Sequence, residues 1–248
     1  MTADRSIAAD VRAALRRAGD PERAAGQQAY MKSAMPFRGV RVPEVRRLAH
    51  EAAGRVGSAD EARRLARLLW DEAAYREERY LAMGLLGAPV AQGDLDNAPL
   101  IEHMVRTGAW WDYTDDLAKR VRELHDAHPV TAGELVRRWS EDDDAWVRRL
   151  AILSQLGRGS ATDRGLLAEV IEPSLADPEF FLRKAIGWAL RDLARTDPAW
   201  VDGYLASHRL SPLSRREALR RPGAQAKRAS GSVATNTVSG AASSPHSA

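Results

Sequence analysis

Two stretches of the chain repeat one pattern. Glu141-Asp142-Asp143-Asp144-Ala145-Trp146-Val147-Arg148-Arg149-Leu150-Ala151-Ile152 runs from acids through an aromatic, an aliphatic and paired bases into an apolar segment. Asp177-Pro178-Glu179-Phe180-Phe181-Leu182-Arg183-Lys184-Ala185-Ile186-Gly187-Trp188 returns to that order about 35 residues later, near the period of paired-helix repeats. Leu69-Trp70-Asp71-Glu72, leading to Glu78-Arg79-Tyr80-Leu81-Ala82, is a weaker third copy. A unit of this size cannot bury its apolar face alone and does so by stacking on its neighbours.

The local signals are helical throughout. Ser58-Ala59-Asp60-Glu61, Thr131-Ala132-Gly133-Glu134 and Ser214-Arg215-Arg216-Glu217 have the form of capping boxes. Asp20-Pro21-Glu22, Val42-Pro43-Glu44, Asp177-Pro178-Glu179 and Asp197-Pro198 place proline at a first helical position. Between these starts lie amphipathic segments of roughly ten to eighteen residues, and no segment alternates as a half-buried strand does. Ala, Leu, Arg, Glu and Asp dominate while β-branched residues are sparse. About a dozen short helices could form an irregular globule or a solenoid. The repeated stretches favour an all-α superhelix, an α-solenoid of antiparallel HEAT-like helix pairs. That domain is expected over residues 1–221. From Pro222 the chain is rich in Ala, Ser, Gly and Thr and is expected to be a disordered tail over 222–248.

Charge and composition remove several function classes. The chain has no cysteine, so it can form neither a disulfide nor a thiolate metal site. Met1-Thr2-Ala3-Asp4-Arg5 lacks the apolar stretch of a signal peptide, and no apolar run is long enough for a bilayer. The expectation is a soluble cytoplasmic protein. The six histidines show no metal-ligand spacing, and no nucleotide-binding loop, HExxH or nucleophile-elbow motif is present. Neither a metal nor a cofactor is therefore expected. Net charge is only +3, yet arginines stand in adjacent pairs such as Arg148-Arg149 and Arg215-Arg216. Most such pairs belong to solvated helix surface; collected on one face they would bind phosphates.

Tryptophan, arginine and aspartate remain as candidate chemistry. Trp110-Trp111-Asp112-Tyr113-Thr114-Asp115 puts Trp111 and Asp115 about one helical turn apart, on one face. An indole beside a carboxylate suits a cation. The competing reading is structural: Trp111 and Trp188 as packing residues like Trp70, Trp139 and Trp200, and Asp115 as a first-turn acid. Asp112 is the better capping candidate, and Trp110 is assigned to packing.

Taken in order, several motifs resemble the bacterial DNA alkylation repair family of AlkD-type glycosylases. They are Tyr30-Met31-Lys32-Ser33 with Pro36-Phe37-Arg38-Gly39-Val40 and Pro43, Trp110-Trp111-Asp112, Trp146-Val147-Arg148-Arg149, Lys184-Ala185-Ile186-Gly187-Trp188, and Pro212-Leu213-Ser214-Arg215-Arg216-Glu217-Ala218. The resemblance spans roughly residues 25–221. It implies HEAT-like repeats with a concave DNA-binding face, and excision of N3- and N7-alkylated purines from double-stranded DNA. It implies a site of Asp115, Trp111, Trp188 and Arg149, with DNA contacts from Lys32, Arg148, Arg149, Lys184, Arg215 and Arg216. It further implies that the lesion need not be flipped into a pocket. The chain departs from the family's pattern at Tyr113-Thr114 and at Ser33, and Tyr113 is expected to alter access to the lesion.

The implied chemistry suits the residue types. A cationic alkylpurine departs neutral and needs no general acid, so one carboxylate suffices where ordinary glycoside hydrolysis uses two. Asp115 is expected to stabilise the oxocarbenium-like sugar and orient water. Trp111 and Trp188 would pack on the sugar and backbone. Arg149 would grip a flanking phosphate. Lys32 and Lys184 enter the chemistry only if Schiff-base lyase activity appears. A monomer is expected, nucleoid-associated when on DNA. The alternatives are a non-catalytic HEAT-like module that binds duplex or damaged DNA, and a protein-binding solenoid.

Overall fold

The computed structural model describes residues 3–220, and among them thirteen α-helices and no strand. The helices are α1 (Ala3–Arg17), α2 (Pro21–Met31), α3 (Val42–Ala53), α4 (Ala59–Asp71), α5 (Arg76–Leu85), α6 (Ala98–Gly108), α7 (Trp111–Ala127), α8 (Pro129–Ser140), α9 (Ala145–Leu153), α10 (Arg164–Ile171), α11 (Phe180–Leu193), α12 (Pro198–Ser207) and α13 (Pro212–Ala218). None is long and apolar enough to cross a membrane. The tail expected over 222–248 lies outside the described residues.

Helix starts follow the local chemistry, with corrections. Asp20, Ser58 and Asp197 accept backbone N–H bonds as N-caps, from Arg23, Glu61 and Trp200. Pro21 and Pro198 open their helices, while Pro43 is the second residue of α3. Pro178 falls outside α11, because Glu179 caps that helix through the Phe181 N–H. The box predicted at Thr131 is not used: Pro129 starts α8 one turn earlier, and His128 precedes it without a side-chain cap. The box predicted at Ser214 gives way to Ser211, whose hydroxyl accepts from the Ser214 N–H at 3.0 Å. The residues gained by these earlier starts stay largely in solvent (Val130 is 74% exposed), so proline at the first helical position, with the Ser211 cap in α13, sets the starts rather than burial.

The helices stack in two layers. Along one, α3, α5, α7, α9, α11 and α13 each pack on the next. Along the other, α1 meets α4, α4 meets α6, and α8 meets α10. Adjacent helices such as α4–α5, α6–α7 and α8–α9 pair across the layers, which makes the fold an α-solenoid. Small residues permit the close approach: Ala62 and Ala66 of α4 are fully buried beside Leu65 and Leu69. Trp70 and Trp139 are buried as well, as packing tryptophans should be.

Polar bonds between repeats mark the period. Trp70 Nε1 donates to Thr107 Oγ1, Trp139 Nε1 to a Glu102 carboxylate oxygen, Arg106 pairs with Asp142, Arg137 with Glu169, Arg158 with Asp126 and Arg164 with Asp197. These partners stand 32 to 37 residues apart, the spacing that the sequence repeats suggest.

Two glycines hold close approaches. Gly39 has φ +81°, and a Cβ there would lie 1.9 Å from the Asp20 carbonyl oxygen. The backbone N–H groups of Arg38, Gly39 and Val40 all donate to the buried Glu77 carboxylate at 2.9 to 3.0 Å, which fixes the Pro36–Val40 motif against α5. Gly187 lets α11 meet α13: a Cβ there would sit 2.5 Å from Glu217 Cβ and 2.7 Å from the Ser214 carbonyl. Gly187→Ala is therefore expected to destabilise the fold by about 1–3 kcal/mol through overpacking, despite alanine's better helix propensity. A lowered denaturant midpoint measures this; an unchanged or raised midpoint contradicts it.

Candidate active site

Helix α7 opens on Trp111 with an unusual N-terminus. Trp110 occupies the N-cap position with extended backbone (φ −151°, ψ 151°) and offers no side-chain cap. Asp112, expected as the cap, already lies inside the helix and turns its carboxylate to other partners. In place of a cap, the first two turns are held by two buried arginines from neighbouring helices of the layer.

Arg149 of α9 faces Asp115. Its Nε donates to Asp115 Oδ1 at 2.8 Å and its Nη2 to Oδ2 at 2.9 Å, a bidentate pair. Its third nitrogen, Nη1, donates to the Phe181 carbonyl of α11. The guanidinium is only 5% exposed and the carboxylate 15%, so the anionic end of the pair is nearer solvent. Burial pushes the Asp115 carboxyl above the ordinary range, against the pull of Arg149. Arg149, expected to grip a phosphate, thus spends all three nitrogens inside the protein. A guanidinium buried this deeply must be satisfied internally, and the carboxylate is its best partner.

Arg76 of α5 holds Asp112 from the other side. Arg76 Nη2 donates to Asp112 Oδ1 at 2.6 Å, and Tyr80 Oη donates to Oδ2 at 2.6 Å. Arg76 Nη1 donates to Ser33 Oγ at 3.0 Å, and the guanidinium lies 4.2 Å from the Tyr113 ring centroid. Tyr113, expected to alter access to a lesion, is fully buried against Trp70 and Tyr80 and cannot reach the surface.

The aromatic residues divide by role. Trp110 packs with Trp146 and Phe181, at centroid distances of 6.0 and 5.7 Å. Trp111 is half-buried; its ring meets that of Tyr30 edge-on at 6.4 Å, and it lines a cleft of about 300 Å³ with Met31, Val45, Met83, Asp112 and Asp116. Trp188 is half-buried on α11 and leans on the core. Asp115, Trp111, Arg149 and Trp188 therefore come from three successive helices of one layer, α7, α9 and α11. Asp115 and Arg149 are in direct contact.

The basic residues differ in availability. Arg148 pairs with Asp177 at 2.9 Å and Lys184 with Glu217 at 2.9 Å. Arg215 is exposed and donates to the Leu205 carbonyl at 2.8 Å. Lys32 and Arg216 are exposed, and Lys32 has the left-handed backbone of an αL C-cap, φ 48°. Sequence reasoning missed Arg76, Tyr80 and Phe181. Arg76 does precede Glu77-Glu78 in the weakest of the three sequence copies, but nothing local marks it as buried.

Comparison with known proteins bears on the family and the fold. None of the curated proteins matches the chain. Among solved structures, a predicted DNA alkylation repair enzyme from Enterococcus faecalis is 28% identical, with a TM-score of 0.75 over 83% of this chain and 97% of that one. AlkD2 from Streptococcus mutans is 20% identical, with a TM-score of 0.57 over 71% of this chain and 86% of that one, and smu.31 from Streptococcus mutans UA159 is 20% identical, with a TM-score of 0.55 over 71% and 89%. Those two share the fold. Residues 11–221, which hold every helix of the site-bearing layer, match the DNA alkylation repair enzyme family as a whole, and the chain belongs to that family.

Proposed function

We propose that the protein is a monofunctional DNA glycosylase that hydrolyses the N-glycosidic bond of cationic N3- and N7-alkylated purines in duplex DNA. The observation that carries this is the asymmetric Asp115–Arg149 pair, its anion toward solvent at the mouth of α7 beside Trp111. In the reaction the C1′–N bond breaks and its electrons neutralise the alkylpurine, which leaves as a free base. The sugar passes through an oxocarbenium-like state that Asp115 stabilises, and water adds at C1′ to give an abasic site. A fixed anion in a poorly hydrated position acts on the developing charge more strongly than one in water. Arg149 orients this carboxylate and opposes its protonation; Trp111 and Trp188 offer π faces to the cationic sugar.

The lesion is read here without flipping into a deep pocket. The cleft beside Trp111 is lined by Asp112 and Asp116, not by Asp115, which favours attack on a sugar held at the surface. The protein works as a monomer in the cytoplasm, without metal or cofactor. Incubation with duplex DNA carrying 7-methylguanine should release free base, and unmethylated duplex should release none. Binding without release would replace the enzyme with a non-catalytic DNA-binding module.

Lys32, Arg215 and Arg216 contact phosphates in this proposal, and Arg148 and Lys184 do so by sharing charge with their carboxylate partners. Lys32→Ala and Arg216→Ala should each weaken duplex binding and reduce the slope of log K against log salt by about 1. Unchanged slopes measured by fluorescence anisotropy would remove these residues from the interface.

A further inference from the structure

The Arg76–Asp112–Tyr80 cluster has no part in the chemistry above, yet it contacts the residue next to Trp111. Arg76 and Asp112 side chains are 6% and 11% exposed, so the pair is at least as buried as Asp115–Arg149. A buried ion pair is a weak source of stability compared with well-packed apolar residues, but it demands one geometry. Here the demand falls on a helix terminus that has no side-chain cap.

The two arginines reach α7 from opposite neighbours in the layer, α5 on one side and α9 on the other. Their targets, Asp112 and Asp115, are three residues apart, about 60° around the helix. Two bidentate or near-bidentate contacts separated by that angle fix both the height and the rotation of the first turn. Trp111 precedes Asp112 directly, and Asp115 is one of the two anchors. Ser33 extends the cluster: its hydroxyl accepts from Arg76 and donates to the Met35 carbonyl at 2.8 Å, so the loop after α2 is tied to the same point. Tyr30, on the last turn of α2, then meets the Trp111 ring edge-on.

We propose that Arg76, Asp112 and Tyr80 are positioning residues that set the rotation of α7, and through it the placement of Trp111 and Asp115 for base release. This rests on the glycosylase reading for its consequence in catalysis, though not for its consequence in Trp111. The Tyr80 hydroxyl is the place to test it, because Tyr80→Phe keeps the buried ion pair and the ring while removing one bond to Asp112. Asp112→Asn is the stronger perturbation.

Two readouts decide the matter. With 5-fluorotryptophan incorporated and Trp111 assigned by Trp111→Phe, the ¹⁹F resonance of Trp111 should shift or broaden in both variants, while those of Trp139 and Trp200 stay in place. Single-turnover release of 7-methylguanine should fall by about 10- to 100-fold with duplex affinity unchanged, the signature of a misplaced reacting group. In an Asp115→Asn background, Tyr80→Phe should cost less than it does in the wild type, because only the placement of Trp111 is left to lose. A Trp111 resonance that keeps its position and width overturns the proposal whatever the rate does. A shifted resonance with undiminished release in an active protein overturns it too. If the wild type releases no base, the glycosylase reading has failed, and the resonance alone judges the positioning.

Discussion

Asp115→Asn is expected to slow release of 7-methylguanine from duplex DNA by about 10²–10³-fold, the usual cost of removing one preorganised electrostatic group. The substitution keeps the shape of the side chain and removes its charge. Duplex affinity should stay within a few-fold, because the proposed role of the carboxylate is toward the reacting sugar rather than a phosphate. The variant leaves Arg149 with a neutral partner in a site 5% exposed, so it should also lose stability, and circular dichroism at the assay temperature must show it folded. Equal release by the two proteins would mean that Asp115 has no part in catalysis.

The second large effect concerns its partner. Arg149→Ala should cost about 3–5 kcal/mol of stability at neutral pH, since it leaves a buried carboxylate without its counter-charge. The folded Asp115 carboxyl already titrates above the ordinary range because burial outweighs Arg149. Without Arg149, burial and the neighbouring charges of Asp112 and Asp116 remain, all of which raise it, and its pKa must rise further. A carboxylate whose folded pKa lies above its unfolded value contributes a penalty that is present above the folded pKa and relieved as pH falls through it. The stability loss should therefore shrink toward acid, and the acid limb of the pH–rate profile should move to higher pH than in wild type. The salt slope of duplex binding should stay as it was. A lowered slope with an unmoved acid limb would return Arg149 to the phosphate contact that its sequence position suggests.

The solenoid was legible because its cause is periodic. Acid, aromatic, aliphatic and paired bases recur at the interval that one helix pair requires, and α9 and α11 begin at those two copies. Helix starts were legible where an aspartate or serine alone decides them, as at Asp20, Ser58 and Asp197. They were misread at Thr131 and Ser214, where a proline opens the helix nearly a turn earlier. In the candidate site, Trp111 and Asp115 could be paired from spacing along one helix. The partnership of Asp115 with Arg149 spans 34 residues, and no local pattern distinguishes a base that points outward from one that points into the stack. Arg148 and Arg149 show this: adjacent in sequence, they leave α9 in different directions, to Asp177 and to Asp115. The same gap hid Arg76. Asp112 looked like a cap because carboxylates at helix starts usually are, and only its distant partners reveal another use.

Where the site sits along the stack has a further consequence. A linear array of repeats frays from its ends, since terminal units have one neighbour and inner units have two. Asp115, Arg149 and Trp188 belong to α7, α9 and α11, with α3 and α5 stacked before them and α13 after. The reacting groups are therefore set back from fraying ends, although the anchors that α5 and the loop after α2 supply to α7 lie nearer the amino-terminal side. Among the described residues the other side has less reserve: α13 is a short helix, and no further helix stacks after it in the layer. Fraying should therefore reach the reacting groups sooner from the α13 side than from the side covered by α3 and α5.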